Sequence, residues 1–106
     1  MQTISGLHVD ALLLGVHGMD PKAGLTTPNL MEADMNRAMI AATSRLIVLA
    51  DHTKWGVVGL CAMARLADAS ALVSDADLNG DARDVLSNSV GELILAGPGG
   101  AIVDLA

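Results

Sequence analysis

No phenylalanine and no tyrosine occur among the 106 residues, and tryptophan and cysteine occur once each, as Trp55 and Cys61. Without aromatic mass the core must come from Ala, Val, Leu, Ile and six Met. Such side chains bury less area each, so a narrow stability margin and a homo-oligomer are expected. A lone cysteine excludes an internal disulfide and is consistent with a reducing compartment. Basic residues are scarce as well: six Lys and Arg stand against twelve Asp and Glu, a formal charge of -6. Affinity for a phosphate backbone comes mainly from positive charge, so this chain by itself is not expected to bind DNA. No apolar run approaches the roughly 20 residues that span a bilayer. The start, "MQTISGLHVD", lacks the basic and apolar regions of a signal peptide, and a cytoplasmic protein without membrane contact is expected.

What is present is a rhythm of short apolar runs. "ALLLGV" at 11–16, "LIVLA" at 46–50, "ALVS" at 71–74 and "ELILA" at 92–96 are too short for helices and read as strands buried on both faces. Between the first two, "NLMEADMNRAMIAAT" repeats Met31, Met35, Ala38, Met39 and Ala42 at helical spacing, with Asn29 and Glu32 separated as in a capping box. Further helices are predicted at 57–66, where Gly59 weakens the pattern, and at 80–90. The alternation predicts a single α/β domain over 1–106, a parallel sheet with helices on both faces. "AGPGGAIVDLA" reads as a turn and short tail.

In open parallel sheets, ligands sit beyond the carboxyl ends of the strands. Three segments emerge there: "HGMDPKAGLTTPN", "DHTKWG" and "DADLNGD". The first carries Gly15 at its approach, then Gly18, Gly24, Thr26 and Thr27, and opens the helix after Asn29, whose amides are an anion site by nature. It is equally readable as a long connection that needs glycines for its turns. In the second, the Lys54 ammonium is placed to reach a phosphate, with Asp51 to orient it or to accept a sugar hydroxyl; a solvated lysine beside a surface acid is the plain alternative. His17 and His52 lie on these two loops, either as imidazoles bonding to hydroxyls or as exposed loop residues. In the third, Asp75, Asp77, Asn79 and Gly80 imitate half of a calcium loop, but the twelfth position is Leu86, so a polar turn capping the next helix is expected. His8, His17, His52 and Cys61 lack the short spacings of a zinc site, and no metal or cofactor is expected. The methionines read as core filler, and Trp55 as packing on the helix after it.

Taken in order, "DALLLGVHGMD", "GLTTPNLMEADMNRAMIAATSRLIVLADHTKWG" and "ALVSD" resemble the C-terminal effector domain of DeoR-type bacterial transcriptional regulators, from about Asp10 to Asp75. The resemblance implies a fold similar to ribose-5-phosphate isomerase, glucosamine-6-phosphate deaminase and the CoA transferases. It also implies a repressor domain that senses a phosphorylated sugar and controls DNA binding through an N-terminal helix-turn-helix absent from these residues. "LADHTK" looks like the isomerase signature in which the lysine holds the sugar phosphate. The residues carried over are Gly15, Gly18, Gly24 and Thr26, then Asp51 and Lys54; His17 departs from the acid or small residue frequent at its place. Upstream strands with their own Gly-rich loop, which such regulators have, are not among these residues, so a partial domain is expected. The alternative is an isomerase- or deaminase-like enzyme. That chemistry needs a carboxylate to move a proton between carbons, and the corresponding position falls near Asn36, which favours a binder.

Overall fold

The computed structural model describes residues 10–97 and 102–105. His8 lies outside them. Among the described residues eight strands and two α-helices follow in the order β1 (Leu12–Gly15), β2 (Gly18–Asp20), β3 (Gly24–Thr27), α1 (Leu30–Ala42), β4 (Leu46–Leu49), β5 (Cys61–Ala64), β6 (Ala71–Asp75), α2 (Gly80–Ser89), β7 (Leu93–Ala96) and β8 (Ile102–Leu105). The four predicted apolar runs form the parallel part of one sheet, ordered β1-β4-β6-β7-β8, with β8 antiparallel at its edge. The tail read from sequence as irregular thus supplies a strand. None of the helices among the described residues is long and apolar enough to cross a membrane.

Registers Leu14↔Val48, Val48↔Leu72 and Leu72↔Leu93 align one inward row of apolar side chains, all buried. These join Ala33 of α1 and Ala82 and Leu86 of α2 in one core. The opposite row does not: Leu13 is 66% exposed, Leu49 44%, and Ile47, Val73 and Ile94 are half-buried. The α/β class with a parallel sheet is as expected, and among the described residues the outward row is less covered than the inward one. Runs that are apolar at every position predict burial on both sides; they do not say which residues supply the cover.

Two expectations about local structure are corrected. The segment at 57–66 is not a helix. Val57 and Val58 are stiff at χ1, Gly56 sits at φ 79° and Gly59 lacks helix propensity, and the following Cys61–Ala64 pairs antiparallel with β3 instead. Trp55 therefore has no helix after it. Half-buried, it packs on the common core and bridges to Met19. The loop at 17–28 is a β2–β3 hairpin. Asp20 accepts from the N–H groups of Lys22 and Ala23, both at 2.9 Å, Pro21 sets the turn, and Gly24 closes it at φ 77°. With β5 these strands make a second sheet, ordered β2-β3-β5.

Helix α1 begins as expected, the Asn29 side chain accepting from Glu32 N at 3.0 Å. Its burial is inverted. Ala33 and Asn36 face the core, the Asn36 amide donating to Met63 Sδ at 3.1 Å, while Leu30, Met31 and Met35 are exposed. Met19 and Met63 are core residues as expected, whereas Met31 and Met35 are not. The cap of α2 is the predicted one, Asn79 accepting from Ala82 N at 2.8 Å.

Candidate functional site

Parallel pairing brings the carboxyl ends of β1, β4 and β6 to one edge of the sheet. Beyond β4 the chain turns at once into a single 3-10 turn, His52–Lys54, because Asp51 caps it: its carboxylate accepts from Thr53 N at 2.8 Å and from the Thr53 hydroxyl. These bonds, the Thr53 hydroxyl first, lower the Asp51 pKa below the ordinary value, helped by the charges of Lys54 and His52. Lys54 N donates to the Asp51 carbonyl at 3.1 Å, so the ammonium stem leaves from a fixed turn beside an ionised carboxylate.

The turn is held from the neighbouring strand. Asp75, the last residue of β6, accepts from His52 N at 3.0 Å through one oxygen and lies 2.7 Å from His52 Nδ1 through the other. The Asp75 bond, followed by the charges of Asp75, Asp77 and Asp51, raises the His52 pKa against a smaller opposing effect of desolvation. A histidine whose folded pKa is raised contributes stability that is full below its unfolded value, about 6.5, and lost as pH rises through the folded value. The melting-temperature difference between the wild type and His52→Gln is therefore expected to be largest on the acid side of that value and to shrink through the neutral range. NMR titration of the imidazole checks the same point: its midpoint should lie above 6.5 and fall in Asp75→Asn.

The residues singled out in the sequence divide into three groups. Asp51, His52 and Lys54 share the 3-10 turn, and Gly15 and His17 are exposed at the neighbouring strand end. Gly18, Thr26 and Thr27 are buried on β2 and β3 of the second sheet. His17 N donates to the Thr26 carbonyl at 3.2 Å, Thr26 Oγ1 accepts from Gly59 N at 2.8 Å, and a Cβ on Gly18 would stand 2.0 Å from the Val57 carbonyl oxygen. Gly18 and Thr26 are thus engaged within the chain. Gly24 lies at the far turn of the hairpin, where it lines a separate depression of about 320 Å³ with Lys22 and Arg65. Thr27 Oγ1 and Ser74 Oγ are buried without a hydrogen-bond partner among the described residues.

Asp75 makes two contacts to the turn from another strand, and the sequence offered no local signal for it, since its partner is 23 positions away. The one available clue was that Asp51 and Asp75 each end an apolar run. Asp75, Asp77, Ala76, Ala96 and Gly97 line a second depression of about 310 Å³. His52, Asp75 and Asp77 also offer ligand atoms within 4.8 Å of one another. Hydrogen bonding between His52 and Asp75 accounts for the closeness of those two, and a cation there would have to displace the shared proton.

Comparison with known proteins places this geometry in a context. Residues 1–76 match the family model described as the DeoR C terminal sensor domain. The chain is 39% identical over 75 residues to a transcriptional repressor, AccR, of Agrobacterium fabrum, covering 70% of this chain and 29% of that protein. It is 32% identical over 80 residues to the HTH-type transcriptional regulator GlpR of Haloferax volcanii, covering 76% and 31%. It is 30% identical over 95 residues to the HTH-type transcriptional repressor GlcR of Bacillus subtilis, covering 90% and 36%. The chain thus spans about a third of the length of these relatives.

Proposed function

The chain belongs to the DeoR C-terminal sensor domain family, and on that premise we propose that it is the effector-sensing part of a transcriptional repressor whose ligand is a phosphorylated sugar. The observation that carries this reading is the 3-10 turn at the end of β4, where Asp51 caps the turn that carries Lys54 and Asp75 fixes His52. An ammonium on a pre-set turn meets a phosphate with little ordering cost, while the ionised Asp51 and the His52 ring suit sugar hydroxyls. Gly15 and the exposed His17 complete the rim from β1. Control of DNA would pass through a helix-turn-helix domain outside these residues.

Asn36 supports a binder over an isomerase-like enzyme. It is buried, lacks a carboxylate, and spends its amide on Met63 Sδ. The test is thermal stabilisation of the protein by a panel of phosphorylated sugars and their unphosphorylated counterparts. A phosphorylated sugar should raise the melting temperature well above its counterpart, and Lys54→Ala should weaken its binding by about tenfold or more, the loss of one charge-assisted contact. Equal shifts with both forms, or turnover of ribose 5-phosphate, would count against the reading.

A further inference from the structure

The depression of about 320 Å³ that Gly24 lines lies away from the proposed effector turn, near the amino ends of β6 and β7. Three walls make it: the turn of the β2–β3 hairpin, a second 3-10 turn at Leu66–Asp68 just before β6, and the last turn of α2 just before β7. Two of these walls carry a cation on a fixed base. The Asp20 carboxylate accepts from Lys22 N at 2.9 Å, and the Asp68 carboxylate accepts from Arg65 N at 2.9 Å. Gly24 lets the two walls approach, since a Cβ there would stand 2.3 Å from the Ala64 carbonyl oxygen and 3.2 Å from Arg65 Cα. Lys22 has no ion pair among the described residues. Arg65 donates from one terminal nitrogen to Asp68 at 3.2 Å, which leaves further guanidinium donors for a ligand.

The third wall has the opposite character. The Asn88 amide nitrogen donates to the Asp84 carbonyl at 2.9 Å and the Ser89 hydroxyl to the Val85 carbonyl at 2.7 Å, so Asn88 Oδ1 and Ser89 Oγ remain as acceptors. Both sit at a helix C-terminus, which carries partial negative charge, and no basic residue in that last turn offsets it.

We infer that this depression is a second ligand site, taking a small α-amino acid as the zwitterion, with its carboxylate on Lys22 and Arg65 and its ammonium toward the end of α2. A guanidinium beside an ammonium suits a carboxylate or a phosphate. The helix end decides what accompanies that anion, because its negative pole favours a cation over a hydroxyl. The charge of the chain points the same way: at -6 it opposes a phosphate dianion but not a zwitterion of zero net charge. About 320 Å³ is at the small end of ligand pockets, which suits a single amino acid.

The test is NMR titration of the full 106-residue chain with millimolar L-alanine, L-serine and L-valine, and with L-lactate, L-alaninamide and inorganic phosphate as controls. At least L-alanine and L-serine should bind saturably, shifting the amide signals of Lys22, Gly24 and Ser89. Lactate lacks the ammonium and alaninamide the carboxylate, so each should bind about tenfold more weakly than L-alanine. Lys22→Gln and Arg65→Gln should each weaken L-alanine by about tenfold, while Lys54→Ala leaves it unchanged. Both substitutions keep the backbone bonds that set the two turns, and circular dichroism verifies that each variant is folded. No saturable binding of L-alanine or L-serine, lactate or phosphate binding as tightly as L-alanine, either Gln variant binding like the wild type, or loss of binding in Lys54→Ala overturns the inference. Since none of these measurements contains a sugar, their failure is distinct from failure of the effector reading.

Discussion

Gly18→Ala is expected to destabilise the protein by about 3 kcal/mol, the cost of forcing a methyl into a packed site that cannot yield. The obstacle is backbone. A Cβ at residue 18 would lie 2.0 Å from the Val57 carbonyl oxygen and 2.7 Å from its carbon, with Thr26 Oγ1 at 2.8 Å on another side. Relief requires moving the 56–59 segment away from β2, and that segment is tied down by Gly56 N to the Met19 carbonyl at 2.9 Å and by Gly59 N to Thr26 Oγ1 at 2.8 Å. The substitution therefore trades a clash for lost hydrogen bonds. Against a total stability of about 5 to 15 kcal/mol, such a loss is large. Urea unfolding should show a lower midpoint with an unchanged slope. Gly80→Ala is the control: nothing lies within 4 Å of its Cβ and it opens α2, so the variant should be unchanged or more stable by up to about 1 kcal/mol.

Leu72→Ala should cost a similar amount, about 3 kcal/mol. Leu72 is fully buried on β6, between β4 and β7, in register with Val48 and Leu93 of the same inward row. Neighbours on both sides are main-sheet strands, which limits collapse into the space left behind. Leu13→Ala removes the same atoms from the outward row of β1, where the side chain is 66% exposed, and should stay within about 0.5 kcal/mol. The pair of measurements distinguishes a one-sided core from one buried on both faces. Equal losses would mean that the outward row is covered in solution.

What the sequence made readable follows from the range over which each signal acts. The parallel strands were visible because Leu46–Leu49 and Leu93–Ala96 are apolar at every position, and the two helix starts because Asn29 and Asn79 act on groups three residues away. The β2–β3 hairpin was hidden because its strands have only three and four residues, and its Asp20-Pro21 turn looks like any loop. Residues 57–66 carry a ten-residue apolar pattern that fits a helix as well as an extended segment, and only the edge of β3 decides between them. At the candidate site, Asp51 and Lys54 could be placed because a strand end is a local feature. The Asp75 bracket on His52 could not, because it exists only once β4 and β6 lie side by side. The buried positions of Thr26 and Thr27 depend in the same way on a second sheet that no short-range pattern announces.

The order of strands in the main sheet has a consequence for how the polypeptide is made. Reading across the sheet gives β1, β4, β6, β7 and β8, the order in which the ribosome delivers them. Parallel neighbours such as Leu12 and Leu46 are far apart along the chain, a topology that refolds slowly from the fully unfolded state. During synthesis that penalty is spread out. Each new strand of this part of the sheet emerges to find its partner already present, so it can lengthen in one direction as translation proceeds.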